Sequence, residues 1–282
     1  MKTLHNLLIA FAFISTTSFA GNEPIQKGSG NLTLNYQTTK YSDVFDNDGQ
    51  LKPIPKISFS SVNVQGKFGL RDNLSCSFVV PAYVSMSNAE YTGVSSNSIS
   101  GIGDISFGVS YALKMENKIQ PVVSVFQNLP TGKNNNNGLN TGYGDYANSI
   151  FCDLFYEINP HFLLNGGIGY QNRKKYFKND FFGDFYVNYI QKDKFQVSVF
   201  MKGKTPFTEV SNPDNIVNFG QYKNSEGYYR YGASACYFIR KNISLLINYE
   251  DYIKGQFIGN GPIYSAGIKL GFVKKEEKSD EK

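Results

Sequence analysis

Charged side chains that alternate with apolar ones are the residues of this sequence best suited to chemistry. In the second half of the chain they comprise Asp184, Lys202, Lys204, Arg230 and Glu250. Side chains of a strand point alternately to opposite faces, so these charges would share the face opposite to their apolar neighbours. Charges that line a narrow lumen select ions or solutes, whereas charges that pair with one another block it.

A single belt of charge is the arrangement that this spacing favours. Asp184, Lys202, Arg230 and Glu250 lie at similar distances from the short turns that delimit their strands, so they would meet across four neighbouring strands. The same alternation places four further charged residues on this face, which would be the inner face of a closed barrel: Lys67, Asp104, Asp153 and Lys269. If these strands close into a barrel with the charged face inside, six phenylalanines also point into its lumen and would fill part of it: Phe126, Phe151, Phe155, Phe182, Phe200 and Phe238. We expect either a narrow pore or a lumen that is blocked at rest.

The sequence does not support a catalytic site. Apart from His5 near the N-terminus, the chain has only His161, which follows Pro160 at a predicted short turn. A hydrolase of the outer membrane with a serine nucleophile would need its histidine base near the outer leaflet. No pair of carboxylates stands out as an acid and a base. We therefore expect no enzyme and no cofactor, and a lipid hydrolase is the least favoured alternative.

Metal-binding patterns are also incomplete. The three cysteines, Cys76, Cys152 and Cys236, are far apart and have no neighbouring histidine, so they indicate neither a disulfide framework nor a metal site. Residues 46–49 resemble part of a calcium-binding loop, but Val44 and Pro55 occupy its first and twelfth ligand positions. We expect no bound metal.

The elements that carry these residues are strands. Twelve segments of roughly ten residues alternate apolar and polar side chains, as the run from Ile105 to Leu113 illustrates. The predicted strands are 29–38, 57–68, 74–86, 102–114, 118–129, 145–157, 161–172, 181–191, 195–205, 228–239, 243–254 and 263–273. An even number of strands suits an antiparallel barrel that is closed by its first and last strands.

The connections between these segments alternate strictly in length. The short ones are 69–73, 115–117, 158–160, 192–194 and 240–242. The long ones are 39–56, 87–101, 130–144, 173–180, 206–227 and 255–262. Short turns at one rim and long loops at the other are typical of outer-membrane barrels, whereas a soluble sandwich needs no such asymmetry. The sequence thus predicts an all-β, transmembrane, antiparallel up-and-down barrel of about 12 strands, with short periplasmic turns and long extracellular loops.

The two ends of the chain indicate its compartment. Lys2 and His5 precede the apolar run of residues 7–14, and Ser18-Phe19-Ala20 forms a small-residue cleavage site. We predict a signal peptide at residues 1–20, a barrel at 21–273 and a charged, disordered periplasmic tail at 274–282. The predicted location is the outer membrane of a Gram-negative type of cell.

Composition favours a membrane partner over nucleic acid. The chain has 20 Tyr, 23 Phe and no Trp, and many of these aromatics lie near predicted strand ends. Tyrosine prefers the membrane interface, although aromatics also favour strands in general. Lys and Arg total 28 against 23 Asp and Glu and are spread along the chain, which leaves no basic footprint for nucleic acid. The expected partners are outer-membrane lipid, a small-molecule solute, and the barrel-assembly machinery that recognises terminal strands such as 263–273.

Three short segments together resemble a known family. They are residues 101–111 (GIGDISFGVSY), residues 129–132 (LPTG) and residues 141–145 (TGYGD). In this order and spacing they resemble the outer-membrane transporter family named after the phenol meta-degradation pathway, from about the second strand to the C-terminus. The resemblance implies a barrel of about twelve strands that transports small solutes, hydrophobic or aromatic ones among them. The alternative of another class is a structural or adhesive surface barrel that acts through its extracellular loops.

Overall fold

The computed structural model describes residues 25–272, except 47, 91–94, 115–117, 134–138, 143–145, 174–178, 192–193, 207–215, 218–220, 223–226 and 257. Twelve long strands of this described part build one sheet: β1 (Gly30–Phe45), β2 (Leu51–Arg71), β3 (Leu74–Asn88), β5 (Ile105–Ala112), β6 (Ile119–Leu129), β7 (Ala147–Asn159), β8 (Phe162–Arg173), β9 (Asp180–Gln191), β10 (Phe195–Pro206), β13 (Gly227–Arg240), β14 (Ile243–Gln256) and β16 (Ile263–Phe272). Four short strands accompany them: β4 (Asn97–Gly101), β11 (Ile216–Val217), β12 (Gln221–Tyr222) and β15 (Ile258–Asn260).

The sheet closes on itself through its first strand. β1 pairs antiparallel with β2 on one side and with β16 on the other, and every other long strand pairs with its sequence neighbours among the twelve. A closed antiparallel ring satisfies the backbone groups of every strand without leaving an edge, which is the requirement for strands in lipid. The predicted fold class, a barrel of about 12 strands, is therefore confirmed.

Polarity is inverted relative to a water-soluble protein. Large apolar side chains cover the outside, among them Leu34, Val125, Ile150, Val199 and Ile247, each at least half exposed. The inside buries polar side chains: Thr33, Asn35, Gln65, Ser124, Asn188 and Ser198. This arrangement suits lipid outside and a polar lumen inside, and it is the alternation seen in the sequence. The described residues include no helix long and apolar enough to cross a membrane.

The prediction of a long loop at residues 39–56 is wrong. Within this range β1 and β2 remain paired as far as Phe45 and Leu51, with one irregularity between Tyr41 and Asp43. A ladder that projects beyond the membrane no longer needs an apolar outer face, so the alternation used to end the strands stops before the pairing does. The tip is a tight turn in which Asp46 Oδ1 accepts the backbone N–H groups of Asp48, at 3.0 Å, and Gln50, at 2.8 Å. The hydrogen bond from Gln50 lowers the pKa of the Asp46 carboxyl.

The remaining connections follow the predicted asymmetry where they are described. At the periplasmic rim the connections between β2 and β3, β7 and β8, and β13 and β14 are two-residue turns, namely 72–73, 160–161 and 241–242. His161 lies in one of these turns, with Nδ1 3.0 Å from the carbonyl oxygen of Ile190. The predicted signal peptide and the predicted tail of 274–282 lie outside the described residues.

The chain bends inward just before β1. Gly28 has a φ of 77°, in the left-handed region that glycine adopts readily, and its N–H donates to the Gly69 carbonyl at 2.9 Å. A Cβ on Gly69 would collide with the carbonyl oxygens of Ile25 and Gln26. Gly69 shares the inner face of β2 with buried Gln65 and Lys67, so this turn lies over the lumen at its periplasmic end.

Candidate functional site

Three of the predicted belt residues lie side by side on neighbouring strands. Asp184 on β9 pairs in register with Lys202 on β10, and Lys202 pairs in register with Arg230 on β13. All three side chains point into the barrel, because they alternate with the exposed residues Phe185, Met201 and Tyr231. The ladder thus places one carboxylate and two cations in a single row across the inner wall.

Glu250 on β14 joins this row through its carboxylate. Its Oε1 lies 2.7 Å from Nζ of Lys202 and accepts a hydrogen bond of 3.1 Å from Nδ2 of Asn248. Its Oε2 lies 3.2 Å from Nη1 of Arg230. The side chains of Lys202, Arg230 and Glu250 are fully buried. Buried charges persist only when they are paired, so this triad is a unit whose members depend on one another.

Aromatic rings pack against both cations of the triad. Nζ of Lys202 stands 4.3 Å from the ring centroid of Phe200. The guanidinium of Arg230 lies 4.2 Å from the centroid of Tyr228 and 5.4 Å from that of Tyr252, and these two rings meet edge to face. Rings attract a cation through their negative faces, which adds to the stability of the pair with Glu250.

A second ion network lies beside the triad, towards the extracellular end. Asp180 Oδ2 is 2.9 Å from Nη2 of Arg173 and 3.5 Å from Nζ of Lys204. Nε of Arg173 donates to Oε1 of Gln171 at 2.6 Å, and Nε2 of Gln171 donates to Oγ of Ser149 at 2.8 Å. The predicted residue Lys204 therefore belongs to a cluster that includes two charged residues absent from the prediction, Arg173 and Asp180.

Arg173 and Asp180 are the two charged residues of this cluster that sequence reasoning missed. They were the two end residues of the predicted loop 173–180, whereas the structure has them as the last residue of β8 and the first of β9. Gln171 and Arg173 alternate with the exposed Asn172, and Asp180 precedes the exposed Phe181. Extension of both strands by one residue with the same alternation would have placed the pair on the inner face.

Three of the other predicted inward charges also lie inside the barrel. Lys67 on β2 and Asp153 on β7 are buried, and Lys269 on β16 is half-buried. Asp153 belongs to the same ladder row as Asp184, because both pair in register with Gly167 of β8. Of the six predicted inward phenylalanines, five are buried and Phe238 is half-buried, and Phe151 stacks on Phe182 with centroids 5.3 Å apart.

Asp104 is not on a strand, which corrects the prediction of 102–114 as one strand. β5 begins at Ile105, and the carboxylate of Asp104 accepts the backbone N–H of Gly132 at 2.7 Å. A carboxylate that caps a neighbouring loop in this way is engaged in structure at the rim. β5 begins later than predicted. The N–H of Gly103 donates to the Pro81 carbonyl, and residue 103 lies outside the ladder.

The three family-like segments of the sequence converge at this point. Oγ1 of Thr131 donates to the Gly103 carbonyl at 2.7 Å, and Oγ1 of Thr141 donates to the Ile102 carbonyl at 2.8 Å. The N–H of Lys133 donates to Oγ1 of Thr141 at 2.8 Å. Segments that are far apart in sequence thus form one hydrogen-bonded cluster, and the described residues of the shared pattern position the extracellular end of β5 and β6.

A separate, apolar cluster covers part of the inner face near the extracellular end of the barrel. Leu139, in the connection between β6 and β7, is fully buried against Ile57, Met86 and Ile99. Ile57 and Met86 belong to the inner faces of β2 and β3, near the extracellular ends of these strands. The described lumen is therefore occupied at three levels: by the Leu139 cluster, by the charged belt and by the turn at Gly28.

Comparison with known proteins supports the architecture. A family model described as "Putative MetA-pathway of phenol degradation" matches residues 54–261. No curated protein matches the chain. The structure of the COG4313 outer membrane channel from Pseudomonas putida F1 is similar, with a TM-score of 0.71 and 14% identity over 89% of this chain and 98% of that one.

Two further structures show how widely this architecture is shared. The NanC porin has a TM-score of 0.52 and 14% identity, over 85% of this chain and 98% of that one. The translocator domain of the autotransporter NalP from Neisseria meningitidis has a TM-score of 0.51 and 10% identity, over 94% and 95%. At such low identities these likenesses concern the fold, which serves proteins of different kinds.

Proposed function

Because the chain belongs to the family described as "Putative MetA-pathway of phenol degradation", we propose that it is an outer-membrane channel for small solutes, gated within its own lumen. The observation that carries the proposal is the charged belt inside a closed barrel, where Lys202, Arg230 and Glu250 form one buried ion network. Charges at a constriction set which solutes cross it. The belt is the constriction, and its ion pairs must part for a solute to pass.

Burial of the belt favours gating over a permanently open pore. Side chains that line a water-filled channel remain accessible to solvent, whereas Lys202, Lys204, Asp180, Arg230 and Glu250 have fully buried side chains. The belt ion pairs can part when water enters the lumen, because water then solvates the charges that the pairing had satisfied. The belt is thus suited to alternate between a paired, closed state and a hydrated, open one.

Charge reversal within the belt is the experiment that tests the proposal. We expect the double variant Lys202→Glu, Arg230→Glu to differ from wild type in single-channel conductance and in ion preference, because two lumen cations become anions beside Asp184 and Glu250. Planar-bilayer recordings measure both quantities. The matched control is Lys241→Glu, Lys254→Glu, which makes the same charge change at two exposed positions. Equal conductance and ion preference in wild type and both variants would contradict a conducting belt.

A further inference from the structure

We propose that Arg230 binds the carboxylate group of a permeating organic acid, an inference that rests on the proposed channel function and names its solute class. Arg230 is completely buried in the belt, with its guanidinium between the rings of Tyr228 and Tyr252. Its ion pair with Glu250 joins Nη1 to Oε2 at 3.2 Å.

The guanidinium of Arg230 has donor capacity in reserve. In the described part of the chain, Arg230 faces the Tyr228 hydroxyl and Oε2 of Glu250, but no acceptor makes a hydrogen bond of good geometry with Nε, Nη1 or Nη2. A guanidinium presents parallel N–H groups that match the two oxygens of a carboxylate. Because buried donors without acceptors are unfavourable, this group is suited to an incoming anion that replaces Glu250 or binds beside it.

The surrounding charge also favours an anion. Among the described residues, the belt and the ion network beside it hold four cations, Arg173, Lys202, Lys204 and Arg230, and three anions, Asp180, Asp184 and Glu250. Lys202 and Lys204 lie on the strand next to Arg230, and Lys202 is its direct partner in the ladder. A solute carboxylate would therefore balance an excess of positive charge in the belt.

Apolar groups next to Arg230 suggest what the carboxylate is attached to. Tyr228 packs with Phe45 and Ile258 in a buried cluster, and Tyr252 packs against that cluster. Phe45 is the last residue of β1 and Tyr228 is the second residue of β13, so the cluster lies on the extracellular side of Arg230. A solute that arrives from outside would place an apolar ring among these side chains and its carboxylate on Arg230. The solute class is an aromatic or alicyclic monocarboxylate.

Binding and block by benzoate test this assignment. In planar bilayers we expect benzoate to block the wild-type current at lower concentration than acetate or phenol, since acetate lacks the ring and phenol lacks the charge. In Arg230→Lys the block by benzoate should weaken about tenfold, because lysine keeps the charge but loses the paired donors. The matched control is Arg240→Lys, at an exposed position near the periplasmic end of the same strand.

Equilibrium dialysis of labelled benzoate against the folded barrel in detergent gives a second readout that does not depend on conduction. Wild-type protein that conducts nothing but binds benzoate through Arg230 would contradict the channel and support the site. Equal benzoate affinity in Arg230→Lys and Arg240→Lys would overturn the site. Should Arg230→Lys not fold, Tyr252→Leu replaces it: a loss of benzoate affinity with unchanged acetate affinity supports the assignment, and unchanged affinity for both overturns it.

Discussion

Removal of the Glu250 carboxylate is expected to destabilise the barrel by about 3–5 kcal/mol, the effect typical of one partner lost from a buried ion pair. In Glu250→Ala two buried cations, Lys202 and Arg230, lose the anion that they share at 2.7 and 3.2 Å. Unfolding in denaturant, followed by tyrosine fluorescence because the chain has no tryptophan, measures the change.

The control for this prediction is Glu157→Ala, which removes an exposed glutamate near the periplasmic end of β7. An exposed charge contributes little to stability, so this variant should unfold within about 0.5 kcal/mol of wild type. If Glu250→Ala also remained within that range, the triad would not be the interdependent unit that its geometry indicates, and the belt would have no paired state to open.

Replacement of Leu139 by aspartate is expected to raise the time that the channel spends open. Leu139 is fully buried against Ile57, Met86 and Ile99 at the extracellular end of the lumen. A carboxylate in that apolar cluster is strongly unfavourable, so the side chain should leave it and expose the lumen to water. Single-channel recordings of Leu139→Asp measure the open fraction and the conductance.

Leu139→Met is the matched variant for this prediction, because methionine preserves an apolar side chain of similar volume. It should conduct as wild type does. Identical open fractions in Leu139→Asp and Leu139→Met would show that the apolar cluster does not restrict the lumen, and the restriction would then lie at the belt alone.

The transmembrane strands were predictable because a barrel in lipid imposes one rule on every strand. Outward side chains must be apolar and inward ones need not be, so alternation as clear as that of Val197, Val199 and Met201 identifies both the strand and its faces. The same rule assigns Lys202 and Arg230 to the inner face from the sequence alone. Their adjacency follows from the strand order, since each strand pairs with its neighbours in sequence.

The features that escaped prediction lie where that rule ends. β1 and β2 continue as a paired ribbon beyond the membrane, where no apolar face marks them. Arg173 and Asp180 lie at strand ends, where a difference of one residue separates a loop from a lumen wall. Leu139 lies in a connection between strands and Gly28 lies before the first strand, and neither segment alternates apolar and polar residues. Their places inside the barrel depend on tertiary contacts that one sequence does not display.

The claim that solutes cross the barrel past the charged belt is tested most directly by thiol block. In a background with Cys76, Cys152 and Cys236 changed to serine, Lys202→Cys places a thiol in the belt and Met201→Cys places one on the neighbouring lipid-facing position. A charged methanethiosulfonate reagent added to conducting channels should produce a lasting stepwise fall in current in Lys202→Cys and none in Met201→Cys. An unchanged current in Lys202→Cys would contradict conduction through the belt.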